Sequence, residues 1–252
     1  MSSSKVRGPK VKDEFVQLPD VVLGDETPET DTSGVVWTKH DDATSAITRV
    51  MAARTVMVPT APGELVPLEV PFVQSVHHQP RQKLIRRVVV HCTENAELEG
   101  MAMMNAHLFA GPQSPEASVH YFVDDKVIVQ CVRDEEKAWH APGANEDGIG
   151  VEIVGRASQS VEQWADPYSR AALYRAMGLI ADVCRRHNIL VQFLDHKTLL
   201  TDACGITTHA EVTRAWPAAG HGHSDPGPSF PMEALLTGVR WTLVRLENPT
   251  QV

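Results

Sequence analysis

The chain has 252 residues, enough for one large domain or for one domain with a substantial extension. With 42% hydrophobic and 22% charged residues it is composed like an ordinary folded protein, which excludes a wholly disordered chain. A net charge of −9 argues against a broad nucleic-acid-binding surface, and no run reaches the roughly 18 apolar residues of a membrane span.

The N-terminus is basic as far as Lys12 but then meets Asp13 and Glu14 instead of an apolar stretch. No signal peptide is read there, and a cytoplasmic protein is expected. Residues 1 to about 35 are polar, with Asp25, Glu26, Glu29 and Asp31 close together, and predict an arm without periodic structure. Ala43 to Ala53 has the composition of a short helix, and Pro59 to Phe72 reads as turns and short extended pieces. No motif falls before residue 81.

From Lys83 the signals strengthen. Arg86 to His91, a β-branched run bounded by charge, predicts a buried strand. Asn95 to Phe109 is rich in Ala, Met, Leu and Glu and predicts helix. Ser118 to Val123 alternates, with Val119, Tyr121 and Val123 on one face and His120 and Phe122 on the other. After a turn at Asp124-Asp125, Lys126 to Val132 returns as the second strand of a hairpin. Ile149 to Val154 is a further strand, with Ile149, Val151 and Ile153 on one face and Glu152 on the other. Asp166-Pro167 opens a helix, a capping side chain followed by a residue preset to helical φ. Leu173, Met177, Ile180 and Cys184 form its buried stripe, running to about His187. Gln192 to Leu194 is a short extended piece, and a last helix begins near Pro231 with Leu235, Val239, Leu243 and Leu246 along its apolar side. The predicted fold class is α/β: a single domain with a central mixed β-sheet flanked by helices, preceded by an irregular N-terminal extension.

Cys92, Cys131, Cys184 and Cys204 form no Cys-x-x-Cys pair and are read as reduced. Cys92 adjoins His91, but strand alternation turns it to the opposite face, as packing.

The chemistry gathers around the stretch from His221 to Pro231. Pro226, Pro228 and Pro231 stiffen it and Gly227 lets it reverse, so it predicts a rigid loop that holds Asp225 in one place. His91, ending its strand, and His209, after Gly205 to Thr208, offer two imidazoles. Two imidazoles and a carboxylate are a zinc set with a fourth position left for water. Among twelve histidines the spacing alone does not decide this, since a strand-end histidine is equally a hydrogen-bonding residue.

Glu152 follows Gly148 and Gly150, which leave room above it; it is a solvated glutamate or, beside an activated water, a general base. His223 is open to three readings: an alternative ligand, a donor to a developing oxyanion, or a surface residue. His221 is read as the last of these. His120 lines a cleft or packs, and Trp139-His140-Ala141-Pro142-Gly143 contacts a sugar or peptide or is a packed loop.

Taken in order, Val88 to Thr93, Ser118 to Val123, Ala138 to Ala141, Gly148 to Gly155, Thr208-His209 and Asp225 to Pro228 resemble one family. It is the zinc-dependent N-acetylmuramoyl-L-alanine amidases shared by phage endolysins, muropeptide-recycling amidases and animal peptidoglycan recognition proteins. The resemblance implies residues 81–252 as the catalytic domain and residues 1–80 as an extension of unknown role. It implies Zn2+ on His91, His209 and Asp225, Glu152 as catalytic base, His223 as oxyanion donor, and His120, Trp139 and His140 toward the substrate. Two departures stand out: Val119 where some members carry a catalytic tyrosine, and His223 where the family often has lysine.

The function implied is hydrolysis of the amide between N-acetylmuramic acid and L-alanine in peptidoglycan, by a phage lysis enzyme held in the host cytoplasm until release. Alternatives are a cytoplasmic recycling amidase acting on muropeptides, and a non-catalytic peptidoglycan-binding or virion-associated protein. Neither nucleic acid nor membrane insertion is expected, and the oligomeric state is left open.

Overall fold

The strand at the centre of the molecule is β4 (Arg87–Cys92), whose six residues are all buried. A strand with parallel neighbours on both sides has no wet face, which is why its middle reads Val-Val-Val without alternation. The structure is a computed structural model and describes residues 51–61, 63–219 and 222–248.

In chain order the elements are β1 (Met51–Ala61), β2 (Glu64–Phe72), β3 (Gln79–Pro80), β4, α1 (Met101–Ala110), β5 (Tyr121–Val123), β6 (Ile128–Gln130), β7 (Glu136–Lys137) and β8 (Gly148–Ile153). They continue with α2 (Val161–Trp164), α3 (Pro167–His187), a short 3-10 turn at Thr198–Leu200, β9 (Gly205–Thr208), α4 (His209–Ala215) and α5 (Met232–Glu247). The main sheet runs β1-β2-β6-β5-β8-β4-β9, and β3 pairs with β7 apart from it. Strands β5, β8, β4 and β9 are parallel, while β1 with β2 and β5 with β6 are antiparallel. This is the expected mixed sheet between helices. Among the described residues no helix is long and apolar enough to cross a membrane.

The chain before residue 81 departs from expectation. Residues 51–53 are strand, not the end of a helix, and residues 43–50 lie outside the described residues. The stretch read as turns and extended pieces is a β1–β2 hairpin added to the main sheet. Helix α3 closes over it: a Cβ on Gly178 would lie 2.5 Å from the Met57 carbonyl oxygen, so only glycine lets helix and strand approach this closely.

Helix α3 begins where predicted. Asp166 accepts a hydrogen bond from the Ser169 amide, Pro167 occupies the first turn, and Asn188 ends the helix in the left-handed conformation. Leu173, Met177, Ile180 and Cys184 are buried with Ile149, Val151 and Ile153 of β8 and Leu235 and Val239 of α5 in the largest apolar cluster. Cys92 packs in the same cluster, and the four cysteines are free thiols. Helix α1 is shorter than composition suggests and starts at Met101, after Gly100 at φ 78°. Asp124 joins two elements there: one carboxylate oxygen accepts from the Lys126 and Val127 amides, the other from the Ala102 amide in the first turn of α1. The expected alternation of residues 118–123 begins only at Tyr121; Val119 packs with Phe122, not with Tyr121 and Val123, because residues 118–120 precede the strand.

A second organising feature is a buried polar knot. Asp134, 3% exposed, accepts from the Tyr121 hydroxyl at 2.5 Å, lies 2.8 Å from His187 Nε2 and is paired with Arg186. Arg54 of β1 reaches both Tyr121 and Asp134, so the knot fastens the hairpin to the sheet and to α3. Burial alone raises the Asp134 carboxyl, but the His187 hydrogen bond, the Arg186 charge and the Tyr121 hydroxyl together hold it well below the usual carboxylate range.

Candidate metal centre

Parallel strands carry their side chains in register, and this sheet uses that to assemble a site along one edge. His91 and Glu152 are direct partners across β4 and β8, and Val90 is the partner of Thr208 on β9. His209, the next residue, opens α4, so all three positions lie at the carboxyl ends of adjacent strands, where open α/β sheets place their ligands. The loop before α5 brings Asp225 to meet them, its backbone carbonyl accepting from the Ala210 amide. Gly227, at φ 90°, lets this loop pass against Ala157 of the turn after β8, where a Cβ would collide with the backbone.

Donor atoms of three residues converge. His91 Nδ1 and His209 Nδ1 are 3.1 Å apart, His91 Nδ1 is 3.3 Å from Asp225 Oδ2, and His209 Nδ1 is 3.2 Å from Asp225 Oδ1. Tetrahedral zinc with bonds of about 2.0–2.1 Å needs donors about 3.3–3.4 Å apart, close to these separations. Burial holds the His91 imidazole down at about 4, so near neutral pH the ring is neutral and keeps a lone pair to donate. Burial also raises the Asp225 carboxyl, but its close contacts with the His209 and His91 rings outweigh it and hold the group well below the usual carboxylate range. A buried carboxylate facing two imidazoles fits a divalent cation in both charge and donor type. Residues His91, His209 and Asp225 are the ones that would hold it.

Around the triangle lies a cleft of about 610 Å³ whose walls include Glu94, Phe109, Glu116, Lys137, Trp139, Pro142, Glu152 and His223. Glu152 Oε1 is 4.0 Å from His91 Nδ1, and its other oxygen is buried without a hydrogen-bond partner in the structure. Burial, reinforced by the charges of Asp225 and Glu94, pushes this carboxyl up to about 8; a bound cation would act in the opposite sense. His223 stacks on the His209 ring at 4.0 Å between centroids, with Nδ1 3.6 Å from Asp225 Oδ1, and is nearly half exposed to the cleft. The other histidine of that loop, His221, lies outside the described residues.

Three expectations need correction. His120 does not reach the cleft: it is fully buried, its Nδ1 accepting from the Gly150 amide and its Nε2 held against Arg81 and the Glu136 carbonyl. His140 borders the cleft but is 8% exposed, and its Nδ1 lies 3.0 Å from His91 Nε2, so the ring faces a candidate ligand. The room left by Gly148 and Gly150 is filled, with the Ala144 carbonyl over the first glycine and the His140 ring and Val119 over the second. Trp139 does line the cleft, stacked on His77 at 5.1 Å.

Sequence reasoning missed the residues that build the cleft wall. Asn145 accepts with its side-chain oxygen from the His140 and Ala141 amides at 3.0 and 2.7 Å. Arg81 donates to the carbonyls of Asp134, Glu136, Asn145, Glu146 and Gly148, gathering both ends of the same loop. An asparagine in Pro-Gly-Ala-Asn signals a turn; nothing near Arg81 in the sequence announces its task.

Comparison with known proteins gives the family. A family model described as N-acetylmuramoyl-L-alanine amidase matches residues 80–228, and the chain belongs to that family. Over 116 residues it is 34% identical to N-acetylmuramoyl-L-alanine amidase CwlH of Bacillus subtilis (strain 168), covering 44% of this chain and 43% of that protein. Over 142 residues it is 28% identical to N-acetylmuramoyl-L-alanine amidase A of Achromobacter lyticus, covering 53% of this chain and 74% of the relative. The match therefore spans less than half the length of the first relative and about three quarters of the second. Among solved structures, Staphylococcus aureus hydrolase AmiA superposes with a TM-score of 0.48 at 16% identity, covering 70% of this chain and 83% of that one. The catalytic domain of XlyA superposes with a TM-score of 0.45 at 21% identity, covering 68% and 99%.

Proposed function

We propose that the protein is a zinc-dependent hydrolase of the amide bond between the lactyl group of N-acetylmuramic acid and L-alanine of the stem peptide. The observation that carries this reading is the triangle of His91, His209 and Asp225 donors with the Glu152 carboxylate beside it. Zinc, when bound, would supply positive charge that acidifies water and polarises the scissile carbonyl. Glu152 takes the proton of the attacking water and delivers it to the departing amine, a task suited to its shielded position at the cleft floor. His223 donates a hydrogen bond to the oxygen that gains charge, in place of the lysine common in the family. Trp139, with Phe109 and Pro142, offers an apolar wall to the sugar or peptide. The substrate-side role expected of His120 and His140 is not carried into this reading.

Within this chemistry, we read the protein as a phage lysis enzyme, with muropeptide recycling in a cytoplasm as the second reading. The test is release of free stem peptides from purified peptidoglycan, identified by mass spectrometry, with and without a zinc chelator. Chelator-sensitive release of peptides with L-alanine at their amino end is the expected result; no cleavage by the zinc-loaded protein of either intact wall or soluble muropeptides defeats the reading. Faster turnover of soluble muropeptides than of intact wall would favour recycling over lysis.

A further inference from the structure

His140 belongs to the loop where a substrate contact was expected, yet its ring is directed at His91. Its Nδ1 is 3.0 Å from His91 Nε2, and the two rings meet edge to face at 5.2 Å. A neutral imidazole carries one ring proton, and the position of that proton decides which nitrogen has a lone pair. His91 Nδ1 is the atom turned toward His209 and Asp225. For that nitrogen to donate to a cation, the proton must sit on Nε2, and Nε2 faces His140.

We propose that His140 is a positioning residue whose Nδ1 accepts the Nε2–H of His91, fixing the tautomer and rotation that present His91 Nδ1 to the ligand triangle. This rests on the reading of His91 as a metal ligand. The surroundings are built to keep the His140 ring still. Asn145 ties down the His140 and Ala141 amides, and Ser118 binds the Trp139 peptide on both sides, Oγ accepting from its amide at 2.8 Å and N–H donating to its carbonyl at 3.0 Å. Below the ring is Gly150, where a Cβ would lie 2.7 Å from His140 Cγ and 2.9 Å from Nδ1. Gly150 is two residues before Glu152 on the strand partnered with β4, so the slot it opens lies beside His91. Loop, slot and acceptor thus serve one bond.

The test compares zinc affinity, by chelator competition, of the full chain and of the variants His140→Asn and His140→Leu, with thermal unfolding of each metal-free protein as the control for folding. The two replacements branch alike, but Asn places an oxygen where Nδ1 was and Leu places carbon. Loss of a partner of this kind weakens metal binding by about 10- to 100-fold, which is the effect expected for His140→Leu, with His140→Asn recovering most of it. Equal affinity in all three proteins, or equal loss in both variants at matched stability, overturns the proposal. A wild-type chain that binds no zinc would instead defeat the ligand assignment beneath it. Should His140→Leu fail to fold, the zinc-loaded wild type decides: nitrogen-edited spectra should show a slowly exchanging proton on His91 Nε2, and a freely exchanging one overturns the proposal.

Discussion

His91 and Glu152 face each other as direct partners across two parallel strands, and their side chains come within 4.0 Å on the same side of the sheet. Their spacing is thereby set by the sheet's own hydrogen bonds and not by a loop. One supplies a candidate ligand and the other a candidate base, so the two tasks should separate cleanly under substitution.

Replacing Glu152 by Gln keeps the shape and removes the base. Zinc content should stay that of the wild type while turnover falls by about 10²- to 10⁴-fold, the range that general acid–base catalysis supplies. Metal analysis alongside the muropeptide assay checks this. Undiminished turnover would show that another group accepts the proton.

Replacing Asp225 by Ala should have the opposite signature. The carboxylate is the anionic member of the donor triangle and lies between both imidazoles. The variant should lose zinc on dialysis and lose activity with it, whereas zinc-depleted wild type should regain activity on adding the metal back. Full metal retention by Asp225→Ala would show that a different residue completes the set.

Asp134 gives a prediction about acid. Its carboxyl is held well below the usual range in the folded protein, chiefly by His187 and Arg186 against the cost of burial. Such a group stabilises the fold above its unfolded value of about 3.9. As pH falls below that value the unfolded chain binds the proton first, so this contribution is lost progressively toward the depressed folded value. Wild-type stability should drop steeply below about pH 4. Asp134→Asn should show a shallower dependence there and a loss near neutrality of about 3–5 kcal/mol, as for one partner removed from a buried ion pair. Denaturant unfolding at a series of pH values reads both.

The close approach of α3 to β1 predicts a purely structural phenotype. A side chain at Gly178 would press on the backbone of Met57 and Val58. Gly178→Val should therefore destabilise by about 1–3 kcal/mol, or about 2–4 °C in Tm for each kcal/mol in a protein of this size. Zinc affinity should be unchanged, since the candidate metal centre lies at the carboxyl ends of β4, β8 and β9, not at the hairpin.

The sequence exposed the centre better than the periphery, for a physical reason. β4, β8 and the opening of α3 carry signals that are local: a β-branched run, an alternating strand, an aspartate before a proline. The candidate ligands His91 and His209 stand at the ends of such elements, so they could be proposed without knowing how the strands order. The β1–β2 hairpin could not. Pro59, Pro67 and Pro71 interrupt its pattern, and β2 tolerates its prolines because it meets β6 at a single position, Phe72 with Gln130, leaving most of that side without ladder bonds to supply. The sequence suggests a substrate contact for His140 because its loop also holds Trp139 and Pro142; its neighbour in space, His91, is 49 residues away. Gly148 and Gly150 suggest open space in the sequence, and only the fold shows what fills it.

Arg81, with one guanidinium shared among five carbonyls between Asp134 and Gly148, has a consequence for how the protein breathes. The wall that carries Trp139 and His140 is tied to that one guanidinium at both its ends. Slow amide exchange across residues 134–148 should therefore collapse together, as one cooperative opening, and not fray from the tip inward. The cleft would then have two conditions, walled or unwalled, and His91 would keep its partner only in the first.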